Sequence, residues 1–300
     1  MTTVAIIGFG DMGEEMAPHL LSAGYQVRVS DTDPGKRERA AALGATVLAT
    51  AAEAARGAEV TLGLVMSDDI TTAYLGEDGI LAGATVGSAV LMCSTTTPAM
   101  LGSVVAAAPE GVSVVDAPIV GGVKYARERG ITFLVGAPDG VYARVRPVLD
   151  TLGASRWVGD VGSGVAYKLI TNVAVMAAEA GIREALDLAD YLGKDYGTAL
   201  ELMSVGPMAP VVARALDTTN PRPLRRSAED DETLLAAVED PARQLPISYA
   251  SAERLWEAVN TREGFEPDFV DLTRRPRPAR STAVPETRSL TPARPERTTS

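Results

Sequence analysis

Cysteine and histidine each occur once in these 300 residues, as Cys93 and His19. A lone cysteine excludes an intrachain disulfide framework, and one of each leaves no His/Cys cluster for a metal. Aromatic residues make up only 5% of the chain, so its core must be built mainly from Ala, Val and Leu. Basic residues are outnumbered 28 to 39, and the net charge of −11 argues against a nucleic-acid partner. The opening "MTTVAIIGFG" has neither a basic leader nor a cleavage site, and no apolar run reads as long and charge-free enough to span a bilayer. The expectation is a cytoplasmic protein with no membrane partner and no metal. Lysine is scarce as well. Of the 28 basic residues only Lys36, Lys124, Lys168 and Lys194 are lysines, so a lysine in a special setting stands out.

What is present falls into two characters. Up to about residue 160, short β-rich runs alternate with Ala-rich helical runs. The strand candidates are "TVAIIG", "QVRVSD", "ATVLAT", "EVTLGLV", "SAVLMCS", "GVSVVDAP", "TFLVGA" and "RWVGD". Most are apolar on both faces, which suits a parallel sheet covered on both sides. Helix ends are readable: a helix over 12–23 stops at Gly24, Asp33 and Pro34 supply an N-cap and a first helical residue, and Gly44 follows that helix. The alternation predicts a Rossmann-type, doubly wound α/β domain over 1–161. Beyond Gly162 the strand signals cease. One long helix is predicted over 163–192 and shorter ones near 195–204, 208–217, 229–239 and 247–260, giving an all-α domain over 162–272. Residues 273–300 carry seven Arg, two acids, five Pro and nine Ser or Thr. Such a segment cannot bury enough apolar surface to offset its ordering entropy, and it reads as a disordered basic tail.

"GFGDMG", from Gly8 to Gly13, fits G-x-G-x-x-G between a strand and a helix. Gly8 permits the tight turn, Gly10 lets the backbone approach a pyrophosphate, and Gly13 lets helix and strand pack closely. Asp31 closes the next strand, 18 residues beyond Gly13. A carboxylate there accepts hydrogen bonds from a ribose diol and repels a 2′-phosphate. NAD(H) is therefore the expected cofactor, with Lys36 and Arg37 keeping NADP(H) open. The cofactor set comprises Gly8, Phe9, Gly10, Asp11, Met12, Gly13 and Asp31.

The second feature is "GSGVAYKLITN", residues 162–172, which places Lys168 among small and apolar residues. In a helix, Gly164, Lys168 and Asn172 share one face. Gly164 would let a ligand approach, and Asn172 would orient the ammonium or the substrate. An ammonium suits this place because burial or a neighbouring cation draws its pKa down. It can then give or take a proton, as a guanidinium cannot at neutral pH.

These residues together resemble the β-hydroxyacid dehydrogenase family, which includes 3-hydroxyisobutyrate dehydrogenase and tartronate semialdehyde reductase. The resemblance covers about residues 3–270 and rests on "GFGDMG", "CSTTTP" (93–98), "DAPIVGG" (116–122) and "GSGVAYKLITN". It implies a Rossmann domain, a long interdomain helix, a helical domain that dimerises, and an active site in the cleft between them. It implies a small hydroxy or carbonyl substrate and a homodimer or homotetramer. By position, Lys168 matches the family's catalytic lysine and Asn172 its helper. Thr95 matches a residue beside the nicotinamide, and Val65 and Met66 the loop flanking the cofactor. Ser94, Val120, Gly121 and Gly122 fall with Lys168 and Asn172 in the substrate set.

The departures concern the substrate carboxylate. Val120 stands where the family has a serine that helps hold it, and Met92 where the family often has aspartate. The family's Lys-Asp-Leu motif finds its local match in "EDDETLLAA" (229–237), which puts an acid, Asp231, at the lysine position. A neutral substrate is then expected, or one whose acid is held by Lys124 or Arg127, with weak activity on 3-hydroxyisobutyrate. The alternatives are an imine reductase, whose members usually carry Asp or Tyr at the lysine position, and a catalytically silent cofactor-binding protein. A decarboxylating sugar-acid dehydrogenase would have a histidine near Val165 and a longer chain.

Overall fold

The computed structural model describes residues 2–238, 245–260 and 267–274. The first part of the chain runs, in order, β1 (Thr3–Ile7), α1 (Asp11–Ser22), β2 (Gln26–Ser30), α2 (Pro34–Ala42), β3 (Thr46–Val47), α3 (Ala51–Ala55), β4 (Val60–Gly63), α4 (Ile70–Leu75), α5 (Ile80–Gly83), β5 (Ala89–Met92), α6 (Pro98–Ala107) and β6 (Ser113–Asp116). It continues through β7 (Ile119–Val120), α7 (Val123–Arg127), β8 (Ile131–Gly136), α8 (Asp139–Leu152) and β9 (Gly153–Gly159). Five helices follow: α9 (Ser163–Tyr191), α10 (Tyr196–Ser204), α11 (Ala209–Leu216), α12 (Leu224–Ala236) and α13 (Pro246–Asn260).

The strands form one sheet in the order β3-β2-β1-β4-β5-β6-β8-β7, with β9 on β8. All pairs from β3 to β6 are parallel. The parallel sheet read from the sequence holds from β3 to β6, and β8 departs from it by running antiparallel to both β6 and β7. Strands β6 and β7, separated only by Ala117 and Pro118, run the same way along β8 in one register, and residues 121–130, which hold only the short α7, are too few for a crossover and turn the chain back antiparallel. The order reverses at β1, and the crevice beyond the carboxyl ends of β1 and β4 is where such sheets seat ligands.

Local chemistry sets the helix ends. The Asp33 carboxylate accepts from the N–H groups of Gly35 (2.7 Å) and Lys36 (3.3 Å), capping α2. Helix α12 begins five residues earlier than expected, since Pro223 precedes it and the buried Leu224, Ser227 and Ala228 extend its packed face. The N-terminus of α9 has no cap from its own flank. Asp116, at the end of β6, reaches across and accepts from Gly162 and Val165, each at 2.8 Å.

Three apolar cores result. One lies on the sheet face under α1 and α8. A second lies on the opposite face and draws in Val165 and Leu169 of α9 and Leu234 of α12. The third, built on Met176, Ile182, Leu186 and Leu255, is internal to the helical part. By length and composition α9 could cross a membrane, contrary to the reading of its sequence. Its packing into two cores and its buried Asn172, Glu179 and Arg183 mark it instead as the central helix of this fold. Of the segment expected to form a tail, Thr273 closes a 3-10 turn and the Arg274 carbonyl accepts from Arg183 at 3.0 Å. Residues 275–300 lie outside the described residues.

Candidate active site

The glycine turn sits at the mouth of the crevice. Gly8 has φ +88°, and a Cβ there would lie 2.6 Å from the Leu64 carbonyl oxygen. A Cβ on Gly13 would lie 2.9 Å from the Gly8 oxygen, so helix and strand approach as closely as expected. Over Gly10 there is open space, and no side chain caps the start of α1. Backbone N–H groups at such a terminus favour an anion. The acids around it are compensated: Asp11 pairs with Arg226 of α12 at 3.2 Å, and Glu14 with Arg39 at 2.9 Å. Asp31 accepts from the Phe9 N–H at 2.6 Å and the Asp33 N–H at 2.8 Å, with the Lys36 ammonium 3.8 Å away. The side chains of Phe9 and Met12 pack into the core on the α1 face of the sheet, which leaves only their backbone for a ligand.

The neighbouring loops are tied to one another. Ser94 donates to the Val65 carbonyl at 2.6 Å, and Ser67 donates to the Thr95 carbonyl at 3.3 Å. Val65 also flanks Gly8, so the loops after β1, β4 and β5 meet, while Met66 is exposed. Cys93 is buried, and burial pushes its thiol up to about 12, far from a nucleophile's range. His19 lies between the carbonyls of Ala126 and Arg127, 3.1 Å from each, a structural role joining α1 to α7. No cluster fit to hold a metal occurs among the described residues.

On α9, Lys168 is half-buried and donates to the Ile119 carbonyl at 3.0 Å. It has no carboxylate within ion-pair distance among the described residues. Burial holds its pKa below the ordinary lysine value. Asp230 pulls it back up, Arg222 presses it down, and Glu179 raises it again. Asn172 is buried, and its Nδ2 has no partner among the described residues. Gly164 departs from its expected role. A Cβ there would lie 2.3 Å from the Leu134 carbonyl oxygen and 2.9 Å from the Asp116 carboxylate, so it serves helix–sheet contact, not access for a ligand.

The loop opposite Lys168 holds Val120, 42% exposed and paired in register with Thr132, followed by Gly121 (φ +116°) and Gly122. Lys124 and Arg127, the cations expected to hold an acid, are engaged elsewhere: Lys124 with Asp217 at 3.1 Å, and Arg127 with Glu15. Asp231 is also corrected. It is buried and accepts from Ser251 of α13 at 2.6 Å, and the acids that act on Lys168 are Asp230 and Glu179. The charged groups that bear on the lysine are Asp230, Arg222 and Glu179, which sequence reasoning missed, together with Asn220, whose Oδ1 lies 2.8 Å from where a Gly122 Cβ would be.

Burial pushes the Asp231 carboxyl from its ordinary 3.8 up to about 6. Between those values the folded chain binds a proton that the unfolded chain has released, so this residue makes stability fall as pH rises through the window. The full effect is at most about 3 kcal/mol. Asp231→Asn is expected to flatten that slope, so its Tm relative to wild type should improve from pH 4 to pH 7. A Tm difference that does not change with pH would refute the assignment.

A βαβ crevice with an uncapped helix start and a paired acid at the next strand fits a nicotinamide dinucleotide, and the class so defined is the NAD(P)-dependent dehydrogenases and reductases. Residues 3–165 match the NAD binding domain of 6-phosphogluconate dehydrogenase. The 3-hydroxyisobutyrate dehydrogenase of Pseudomonas aeruginosa is 36% identical over 206 residues, 68% of this chain and 69% of that one. The NAD-dependent L-serine dehydrogenase of the same organism is 33% identical over the same shares. Among solved structures, Mycobacterium tuberculosis 3-hydroxyisobutyrate dehydrogenase with L-serine is similar at a TM-score of 0.77 and 25% identity, covering 91% of this chain and 98% of that one. The chain belongs to the β-hydroxyacid dehydrogenase family. An imine reductase from Myxococcus stipitatus shares the fold at a TM-score of 0.61 and 22% identity, covering 91% of this chain and 99% of that one.

Proposed function

We propose that this NAD(P)-dependent oxidoreductase interconverts a small hydroxy compound and its aldehyde or ketone, with Lys168 as proton donor and acceptor. The observation that carries the reading is the state of Lys168: half-buried, without an ion-pair partner among the described residues, drawn below the ordinary lysine range, and one helical turn from Asn172, whose Nδ2 likewise has no partner among them. Gly8, Gly10 and Gly13 with the start of α1 would hold the dinucleotide's phosphates, and Asp31 its ribose. When bound, the nicotinamide supplies or accepts the hydride. Lys168 gives its proton to the carbonyl oxygen or takes it from the hydroxyl, and Asn172 orients that exchange. A lysine in this place also favours the reading over an imine reductase or a silent binder. Exposed apolar side chains along α9, among them Ile170, Leu188 and Tyr191, support a second copy covering that helix.

The test is a panel of small 2- and 3-hydroxy acids, diols, aldehydes and imines, followed by NADH and NADPH absorbance. Turnover of imines alone, or of nothing, would refute the reading. NADH is expected to bind at least tenfold more tightly than NADPH, because Asp31 meets a 2′-phosphate with like charge. Asp31→Asn should narrow the gap, and fluorescence titration of both cofactors measures it. A wild-type preference for NADPH would overturn the role of Asp31.

A further inference from the structure

Three features converge beside Lys168. The segment from Asp217 to Arg222 is fastened to the loop that carries Val120: Asp217 pairs with Lys124, and Asn220 accepts from the Lys124 N–H at 3.3 Å. Arg222 follows, half-buried. One of its nitrogens, Nη2, donates to Asp230 at 2.8 Å, and Nη1 lies 3.9 Å from Glu179, beyond hydrogen-bond reach. Its Nε–H and Nη1 donors thus have no hydrogen-bond partner among the described residues, Nη1 being only ion-paired with Glu179. Asn220 is fully buried, and its Nδ2 is likewise unpartnered, as is Glu179 Oε2.

The electrostatics are mixed: Lys168, Arg214 and Arg222 act on one another with Glu179 and Asp230, Asp268 and Asp217 also act on Arg214, and burial pushes Glu179 toward its neutral form. Guanidinium donors to spare in a half-buried cleft favour an anion. Val120 offers that anion no side-chain donor, and the loop's own cations are committed.

We infer that Arg222, with Asn220 beside it, holds a carboxylate of the substrate, so the enzyme takes a small hydroxy acid by a different anchor from the serine this chain lacks. The inference rests on the oxidoreductase reading for its substrate but not for its binding site. The guanidinium stays on Asp230 through Nη2 and offers its remaining edge to the acid. Asp230 then acts as a positioning residue that fixes the plane of the guanidinium.

Two measurements test it. In the first, wild type, Arg222→Met and Arg222→Lys are compared on 3-hydroxyisobutyrate and on 2-methyl-1,3-propanediol, which replaces the carboxylate by a neutral hydroxymethyl group. A charge-assisted hydrogen bond of about 1.5–3 kcal/mol corresponds to a rise in KM for the acid of roughly 10- to 100-fold. With methionine, kcat/KM for the acid should fall at least tenfold further than kcat/KM for the diol, whose reaction shares any change that follows from removing a cation near Lys168, and lysine should restore part of that difference. Equal losses on acid and diol, an unchanged KM for the acid, or a wild-type preference for the diol would each overturn the inference. The second needs no variant to fold. Calorimetric titration of the wild-type enzyme with NADH present should show isobutyrate binding at least tenfold more tightly than isobutyramide, and equal binding overturns the anchor. Selective isobutyrate binding without turnover of any hydroxy compound would refute the oxidoreductase reading and leave the anchor standing.

Discussion

Lys168→Met is expected to lower kcat by two to four orders of magnitude, the usual worth of a positioned acid–base group, while NADH binding changes by no more than about threefold. Methionine keeps the length of the side chain and its apolar stem, so the packing of α9 survives. What disappears is an ammonium that has no ion-pair partner among the described residues and is held below its ordinary pKa by burial. The pH profile adds a second readout. Oxidation of the hydroxyl needs the neutral amine, so wild-type kcat/KM should rise with pH through the lysine's lowered pKa. Reduction needs the ammonium and should fall over the same range. Both limbs should vanish in the variant. Steady-state kinetics with fluorescence titration of NADH decide the matter, and a kcat within tenfold of wild type would remove Lys168 from the chemistry.

Asp116→Ala should cause the largest loss of stability of any single change considered. The carboxylate is fully buried and accepts from two backbone N–H groups at the start of α9. Removing it strands both donors, at about 1–3 kcal/mol each, and leaves a void beside Gly136 and Gly164, where a Cβ would now touch the carboxylate. A loss of about 3–5 kcal/mol follows, or a drop in Tm of roughly 10 °C. Asp116→Asn keeps one acceptor and should lose less. Thermal unfolding followed by circular dichroism measures both, and a Tm of Asp116→Ala within about 2 °C of wild type would mean that α9 is held by other means.

The features that sequence disclosed are those set by neighbours along the chain. The Gly8–Gly13 turn, the Asp33 cap and the Gly24 and Gly44 stops each depend on a few consecutive residues. Lys168 and Asn172 were legible because helical spacing alone puts them on one face. Contacts made at long range were not. Asp116 caps a helix that starts 47 residues later, and Arg222 acts on the lysine electrostatically from a proline-flanked loop 54 residues downstream. No periodicity records either meeting. The misplacement of Asp231 has a geometric cause: one residue along a helix turns the side chain by about 100°. In "EDDETLLAA" one residue decides between facing Arg222, as Asp230 does, and facing Ser251, as Asp231 does. Beyond the family resemblance, only the packing of α12 and α13 fixes that phase.

Helix α9 is a rod of about 43 Å with no proline in its 29 residues, and it is shared by two cores. Val165 and Leu169 root one end in the sheet, while Met176, Ile182 and Leu186 root the rest among the helices. Lys168 stands on the rooted end, so it belongs to the fixed jaw of the cleft. A helix packed along its length into two cores resists bending to admit a guest. Entry and exit must then be worked by the opposite jaw, the Val120–Gly122 loop and the 217–222 segment bolted to it by Asp217 and Asn220. On the proposed roles, turnover and substrate choice sit on opposite jaws of the cleft, and the lips can be reshaped for a new guest without disturbing the tooth.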